Sequence, residues 1–265
     1  MAIVTAVMVM TLALYTMFDR FENDPTSLGA WPFELSVERL GKFGTPGASD
    51  GAYVAGVTDP ITHTELVALV ESHSKVESHM TVWETTAFVE ETGQIQSFII
   101  DGPIGEFDFR VTDGEMFKAP GEAAIGLGLA QTYGLDIGDS LTASLRLSPE
   151  RTEEVPLKVV GVYVAEPNLG RVLMYGADTL WNLGLIDDST PPIGNVALKL
   201  VEGVDSTALV ETLTADTLGR VAVTDVARGY QENMEDERDL VPLMLTLNGV
   251  LIGLAGTNLL ITVLF

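Results

Sequence analysis

Residues 122–139 read EAAIGLGLAQTYGLDIGD, and this stretch holds the clearest succession of local structure signals in the chain. Its apolar start, Glu122 to Ile125, predicts a strand, and Leu127 to Tyr133 predicts a short helix. Gly134 follows that helix at the position where a left-handed residue commonly ends the last turn. The pair Gly138-Asp139 predicts a turn into a further strand, Ser140 to Leu147. The stretch therefore predicts mixed α+β structure.

The same mixture of strands and helices continues on both sides of this stretch. On the N-terminal side, a helix is expected after Thr62, because Thr62 and Glu65 stand at the spacing of a capping box. Strands are predicted there at Glu34 to Glu38, Met80 to Glu90 and Gln94 to Asp101. On the C-terminal side we expect strands at Val155 to Val164, Asn195 to Val201 and Arg220 to Asp225, and helices at Ala177 to Leu183 and Asp205 to Leu218. No short repeat is present, so the fold class predicted is α+β.

The charged residues are strongly unbalanced and confined to the middle of the chain. The sequence has 38 Asp and Glu against 14 Lys and Arg, a formal net charge of −24, and all of them lie between Asp19 and Asp239. This excess argues against nucleic acid as a partner and against docking on anionic lipid headgroups. It is typical of a well-solvated outer surface, and a high-salt habitat gives the same composition. The chain has no cysteine, which excludes disulfides and cysteine metal sites.

The C-terminal end is an uninterrupted apolar segment. Residues 240–265 contain no charged side chain, and as a helix they would reach about 39 Å, more than the roughly 30 Å of a bilayer core. Small residues follow one face at three- and four-residue steps, at Thr246, Gly249, Gly253 and Gly256. Such a face lets another helix approach closely in lipid. We therefore predict a membrane helix with a helix-packing face.

The N-terminal end is a shorter apolar segment, residues 1–18. A cleaved signal peptide begins with basic residues and ends in small ones. This segment instead lacks Lys and Arg and has aromatic residues around its C-terminal end, at Tyr15, Phe18 and Phe21. Aromatic side chains at that point are typical of a membrane–water boundary, so a retained membrane helix is favoured. The flanks that face the soluble body are not net basic, which predicts an extracytoplasmic body. Both helices stop at the chain ends, so we expect a piece of a longer multi-pass protein of the cell membrane.

These observations give a predicted order of domains. It begins with membrane helix 1 (1–18) and an extracytoplasmic α+β domain (19–225), followed by a stalk helix (226–239) and membrane helix 2 (240–265). The stalk is predicted because Val226, Tyr230 and Met234 recur every four residues, which places them on one helix face. We expect the stalk to transmit movement rigidly between the membrane and the domain.

A serine hydrolase is one alternative, because Gly138-Asp139-Ser140-Leu141 spells the signature of one class of these enzymes. A serine nucleophile needs a histidine base held by a carboxylate. The three histidines, at positions 63, 73 and 79, all precede this motif, whereas those hydrolases carry the histidine near the C-terminus. A turn that opens a strand explains the residues equally well. No catalytic residue is assigned, and the chain is not expected to be an enzyme.

The sequence also contains residue types that occur in metal and nucleotide sites. Side chains of the types that bind metal ions form a loose cluster: His63, Glu65, Glu71, His73, Glu77 and His79. One polar helix face explains them equally without a metal. Gly126 and Gly128 follow a strand, yet Gln131 occupies the third glycine position of a dinucleotide fingerprint, and no phosphate-binding loop of an ATPase is present. We therefore assign no metal, no cofactor and no ATP site.

Three stretches together resemble one known family. They are the helix exit FDRFENDPTSLG at residues 18–29, the stretch 122–139 followed by Val159 to Val162, and the acidic stalk that leads into the helix from Leu240. Their order is similar to that of the FtsX-like, or MacB-type, permeases of ABC transporters, in which a periplasmic core domain lies between two membrane helices. The resemblance covers nearly the whole chain.

This resemblance implies a permease subunit driven by a separate cytoplasmic ABC ATPase. It also implies contact with the lipid bilayer, a homodimer or pseudo-dimer of permease halves, and an extracytoplasmic protein partner. Movement of the outer domain would then serve substrate export or mechanical signalling. The alternative is a two-helix receptor whose outer domain senses a ligand, and the sequence after Phe265 would discriminate between the two. No substrate-binding residue can be assigned.

Overall fold

The structure, a computed structural model, describes residues 16, 26, 29–40, 60–89, 93–148, 151–186 and 194–230. The described strands are β1 (Leu35–Arg39), β2 (Val76–Val89), β3 (Gly93–Asp101), β4 (Val111–Gly114), β5 (Glu122–Gly126), β6 (Ser140–Ser148), β7 (Arg151–Tyr163), β8 (Val172–Gly176), β9 (Asn195–Leu200) and β10 (Val221–Asp225). The described α-helices are α1 (His63–Ser72), α2 (Leu127–Tyr133), α3 (Ala177–Asn182) and α4 (Ser206–Asp216). Residues 226–230 are helical as well. The predicted α+β class is confirmed.

All ten of these strands belong to one sheet, in the order β10-β1-β9-β2-β3-β8-β5-β7-β4. Strand β6 lies off this path and pairs with both β2 and β7. The strands β2, β3, β8, β5, β7 and β6 therefore form a closed ring, that is, a small barrel. Its interior is filled by buried apolar side chains from all six strands, including Ala87, Ile99, Ile125, Leu145, Leu157 and Leu173.

The remaining strands form a second unit at one edge of the sheet. Strand β1 pairs antiparallel with β10 and β9, and β9 pairs antiparallel with β2. The chain order β1-α1-β2 followed by β9-α4-β10 is that of a ferredoxin-like split βαβ sheet. Helices α1 and α4 cover this sheet through buried residues, including Leu66, Val70, Leu209 and Leu213.

Strand β2 joins the two units because it is 14 residues long. Its first half, from Val76 to Val82, pairs with β9 of the split βαβ sheet. Its second half, from Thr81 to Val89, pairs with β3 of the barrel. The whole segment β3 to β8 is thus inserted between the second and third strands of the split βαβ unit.

The stretch 122–139 folds as its sequence predicts. Helix α2 covers Leu127–Tyr133, and Gly134 ends it in the left-handed conformation at φ 63°. Gly138 has φ 96°, a conformation that favours glycine, and β6 begins at Ser140. The capping box of α1 is also present, since Thr62 accepts from the Glu65 backbone and Glu65 accepts from the Thr62 backbone.

Two strands were missed by the sequence analysis. Strand β8 (Val172–Gly176) is buried along its whole length between β3 and β5, so it carries no alternation of polar and apolar residues. Strand β4 (Val111–Gly114) has only four residues and is mostly exposed. The strand predicted from Val155 begins earlier, because β7 starts at Arg151, and the strand predicted to end at Leu147 extends to Ser148.

Among the described residues, no helix is both long and apolar enough to cross a membrane. The two predicted membrane helices, residues 1–18 and 240–265, lie outside the described residues apart from Thr16.

Candidate functional site where the chain enters and leaves the sheet

The start of β1 and the end of β10 lie side by side. Leu35 is paired with Asp225 in the antiparallel register of the two strands. Just beyond this pair, the Val226 backbone N–H donates to the Glu34 carbonyl oxygen at 2.8 Å. The incoming chain (29–35) and the outgoing chain (225–230) are therefore adjacent. We call these two segments, together with residues 165–166, the junction.

Glu34 fixes the incoming chain to the neighbouring strand β9. Its backbone N–H donates to the Leu198 carbonyl at 3.1 Å. Its side-chain Oε2 accepts from the Leu200 backbone N–H at 2.9 Å. The carboxylate thus satisfies a backbone donor at the end of β9, where the ladder with β2 also ends.

Asp225 fixes the outgoing chain in a similar way. Its Oδ1 accepts from the Arg228 backbone N–H at 2.8 Å, which is the side-chain bond of an N-cap. Its Oδ2 accepts from the hydroxyl of Ser206, the first residue of α4. One carboxylate therefore connects the start of the outgoing helix to the start of α4.

Glu166 connects the two segments through a third part of the chain. Its backbone N–H donates to the Gly29 carbonyl at 3.1 Å, and its Oε2 accepts from the Tyr230 hydroxyl at 2.9 Å. Burial and the negative charge of Glu166 raise the pKa of Tyr230, so its hydroxyl keeps its proton and remains a donor. Gly29 has φ 96° and lies against the backbone of Ala165, where a side chain would collide.

An aromatic cluster packs the incoming chain onto the barrel. The ring of Trp31 packs edge-to-face on Phe98 of β3 and on Phe109, with centroid distances of 4.8 Å and 5.9 Å. The Phe33 ring is tilted against it, at a centroid distance of 5.5 Å. Such tilted and edge-to-face pairs add favourable energy beyond the area that they bury. Val226, the first residue of the outgoing helix, packs against the same buried cluster.

The turn after Glu166 has a strained backbone. Asn168 and Leu169 both have left-handed dihedrals, with φ 51° and 55°, a conformation that costs energy for residues other than glycine. The turn lies against α2, and Gly126 and Gly128 permit this approach because a Cβ on either would collide with the turn's backbone. The two glycines that resembled part of a dinucleotide fingerprint therefore serve close backbone packing.

The predicted stalk residues are only partly described. Val226 and Tyr230 lie at the start of the outgoing helix and belong to the junction, where Val226 packs against the buried aromatic cluster and Tyr230 bonds to Glu166. Met234 and the predicted helix-packing residues Thr246, Gly249, Gly253 and Gly256 lie outside the described residues. Their roles stay predictions.

The candidate catalytic and metal-binding residues lie in separate surroundings. His63 bonds to Thr81 at 3.1 Å through Nε2, while His73 and His79 face different carboxylates, Asp216 at 3.4 Å and Glu71 at 3.9 Å. Within the described ranges, no three His, Asp or Glu side chains are grouped as metal ligands would be. Ser140 is exposed at the start of β6, in register with Lys158 of β7.

Trp31, Glu34 and Glu166 were not singled out by the sequence analysis. Trp31 and Phe33 stand in the segment WPF, an aromatic pair around a proline that could have indicated an anchored segment. Glu34 and Glu166 are two of 38 acidic residues. Their bonds reach residues 166 and 64 positions away, and no local pattern signals such contacts.

The fold and the junction define an α+β domain in which a barrel is inserted into a split βαβ sheet. The family described as MacB-like periplasmic core domain matches residues 1–216. The chain belongs to this family, which confirms the resemblance to MacB-type permeases.

One solved structure agrees with this assignment at the level of the fold. The periplasmic region of MacB from Actinobacillus actinomycetemcomitans superimposes with a TM-score of 0.50 at 13% identity, covering 78% of this chain and 94% of that one. The extracellular domain of the ABC-type transporter YknZ from Gram-positive bacteria gives 0.47 at 14% identity, covering 72% and 98%. No curated protein matches the sequence.

Proposed function

We propose that the chain is part of a permease subunit of an ABC transporter and that its outer domain moves with the membrane helices. A separate cytoplasmic ATPase would supply the energy, since the sequence has no phosphate-binding loop of its own. The movement would serve export of a substrate or mechanical signalling to an extracytoplasmic partner. The chain itself would catalyse no reaction.

The observation that carries this proposal is the construction of the junction. The incoming and outgoing segments are joined by the Glu34–Val226 backbone bond and, through Glu166, by the contacts to Gly29 and Tyr230. Two segments held in this way must move together. A shift of the helices predicted at either end would then be passed to the domain as a rigid-body movement.

Residues 1–265 contain no cysteine, so site-specific spin labelling is a direct test once any cysteine elsewhere in the full-length protein has been replaced. A single label at the exposed helix position Glu211, as Glu211→Cys, reports the distance between two copies of the full-length permease assembled with its ATPase. We expect the distance distribution to shift when the ATPase is trapped with ATP. An unchanged distribution in an assembly that hydrolyses ATP would rule out coupled movement of the domain.

A matched pair of insertions separates coupling from folding. Two glycines inserted after Asn233 interrupt the predicted stalk and should abolish the ATP-dependent shift. Two glycines inserted after Gly203, in the exposed turn between β9 and α4, should preserve it. If no ATPase copurifies with the full-length protein under conditions that keep complexes intact, the two-helix receptor becomes the better hypothesis.

A further inference from the structure

A cleft of about 640 Å³ opens on the barrel, and none of its described lining residues belongs to the junction. It lies beyond the ends of the parallel strands β3 and β8, in which Ile100 is in register with Gly176. Its volume falls within the range of small-molecule sites, roughly 300–1,000 Å³. The carboxyl ends of adjacent parallel strands are a frequent place for such sites in open sheets.

The walls of the cleft are largely apolar. Ile104, Phe107 and Phe117 are buried side chains that line it, and Trp181 of α3 stands at its edge with 38% of its surface exposed. A large aromatic side chain left partly exposed beside a cleft offers a flat surface for a ligand. Trp181 is therefore available for contact with an apolar group or with the face-on approach of a cation.

Two half-buried carboxylates, those of Asp101 and Asp178, line this cleft. Asp101 ends β3 and Asp178 belongs to the first turn of α3, and the register of β3 and β8 brings them close together. Both are half-buried, and among the described residues neither side chain takes part in a hydrogen bond or an ion pair. Burial, and next the negative charge of Asp178, raise the pKa of Asp101 above its ordinary value.

The basic groups near the cleft do not neutralise this pair. Lys118 is the one basic side chain among the cleft's described lining residues, and it is largely exposed and ion-paired with Glu115. His79 lies near Asp101 and acts on it only as a smaller opposing influence. Asp101 thus bears a desolvation cost and a repulsion from Asp178 that His79 opposes only in part.

We propose that the cleft binds a small organic cation, with its positive group between Asp101 and Asp178 and its apolar part against Trp181 and the buried phenylalanines. A positive charge there would relieve the repulsion of the two carboxylates, and the apolar walls would contact the remainder of the ligand. A metal ion fits less well, because the described residues offer two carboxylates and no third ligand beside them. This inference goes beyond the proposed function, since it requires neither ATP nor an ATPase.

The test is calorimetric titration of the full-length protein in a non-ionic detergent. The probe is benzyltrimethylammonium, with benzyl alcohol as the neutral analogue and benzenesulfonate as the anionic one. We expect saturable binding of one cation per chain and no binding of the anion. Equal affinity for the neutral analogue, or the absence of saturable cation binding, would overturn the proposal.

Two matched double variants locate the site. Asp101→Asn with Asp178→Asn should weaken cation binding at least tenfold. Glu202→Gln with Glu211→Gln removes the same charge from exposed positions outside the cleft and should leave the affinity unchanged. Circular dichroism confirms that both variants fold. Binding that survives in the aspartate variant, or stoichiometric displacement of the cation by Ca²⁺, would show that the cleft is not an organic-cation site.

Discussion

The hydroxyl of Tyr230 donates a hydrogen bond to Oε2 of Glu166 at 2.9 Å, across 64 positions of sequence. The same Glu166 donates from its backbone to Gly29. A single residue of the barrel therefore contacts both the segment that enters the sheet and the segment that leaves it. The contact lies near the start of the predicted stalk. Substitutions of this pair therefore test how the outgoing helix is held.

The first prediction concerns the coupling energy of this pair. Tyr230→Phe and Glu166→Gln should each lower the free energy of unfolding, because a hydrogen bond to a charged acceptor is lost or weakened. The double variant should lose less than the sum of the two, with an interaction energy of about 0.5–1.5 kcal/mol. Urea unfolding of the four proteins gives this value.

A control comes from a tyrosine that makes no such contact. Tyr163→Phe combined with Glu166→Gln should be additive within about 0.5 kcal/mol. If the Tyr230 and Glu166 changes prove equally additive, then this bond does not hold the outgoing helix to the barrel.

Much of the fold could be predicted because the signals are local. The helix α2 and its end at Gly134 follow from periodicity and one glycine, and the capping box at Thr62 and Glu65 follows from spacing alone. Strand β8 could not be predicted in this way. Its five residues, VLMYG, are all buried, so the sequence has no alternation of polar and apolar side chains that would distinguish a strand from a buried helix.

The site was predictable only in part, for a physical reason. Val226 and Tyr230 were found because a four-residue step predicts one helix face. Their partners lie on other elements, and the pairing of Glu34 with Leu200 depends on the register of β9 in the sheet. A barrel closed by β6 is likewise a property of strand order, which no segment of sequence specifies by itself.

The second prediction concerns the N-cap of α1. Thr62→Ala should lower the free energy of unfolding by about 1 kcal/mol, because the Glu65 backbone N–H loses the hydroxyl acceptor that caps the N-terminus of the helix. Thr64→Ala is the matched control, since Thr64 is exposed in the first turn and has no cap bond. Chemical denaturation measures both. Equal effects of the two changes would contradict a capping role for Thr62.

The third prediction is a pH dependence that arises at His63. Burial, and to a smaller extent the positive charges of Arg39 and His79, lower the pKa of His63 below its ordinary value. The unfolded chain therefore holds the proton more tightly, with a pKa of about 6.5. The stability from neutral His63 is complete above that pH and is lost as the pH falls through it toward the folded-state pKa.

The variant His63→Gln should remove this part of the pH dependence. Gln keeps a hydrogen-bonding group for Thr81 but carries no proton that titrates. Urea unfolding at pH 7.5 and pH 5.5 should show a smaller loss of stability for the variant than for the parent protein. An equal loss in the two proteins would assign the pH dependence to other groups.

The fourth prediction has the opposite sign and concerns Asp101. Its raised pKa means that the folded chain holds the proton more tightly than the unfolded chain. The stability linked to protonated Asp101 is present at low pH and is lost as the pH rises through the folded-state pKa. Asp101→Asn should therefore be more stable than the parent at pH 7, and the difference should shrink as the pH approaches 3. Thermal unfolding across this range, with Glu202→Gln as the charge-matched control, measures the effect.

The last prediction concerns a buried hydroxyl beside the junction. Tyr163 belongs to β7, packs edge-to-face on Phe109 at 6.0 Å, and is 3% exposed. Its hydroxyl oxygen is enclosed and has no hydrogen-bond partner among the described residues, and this burial strongly raises its pKa. An unsatisfied buried hydroxyl costs about 1–3 kcal/mol relative to one that is bonded. Tyr163→Phe keeps the ring contacts and removes that cost, so the free energy of unfolding should rise by up to about 1 kcal/mol.

The matched change Tyr230→Phe removes a hydroxyl that is bonded and should lower the free energy of unfolding. If Tyr163→Phe destabilised the protein as much as Tyr230→Phe does, the hydroxyl of Tyr163 would have a partner in solution, and the packing between β7 and the incoming chain would have to be revised.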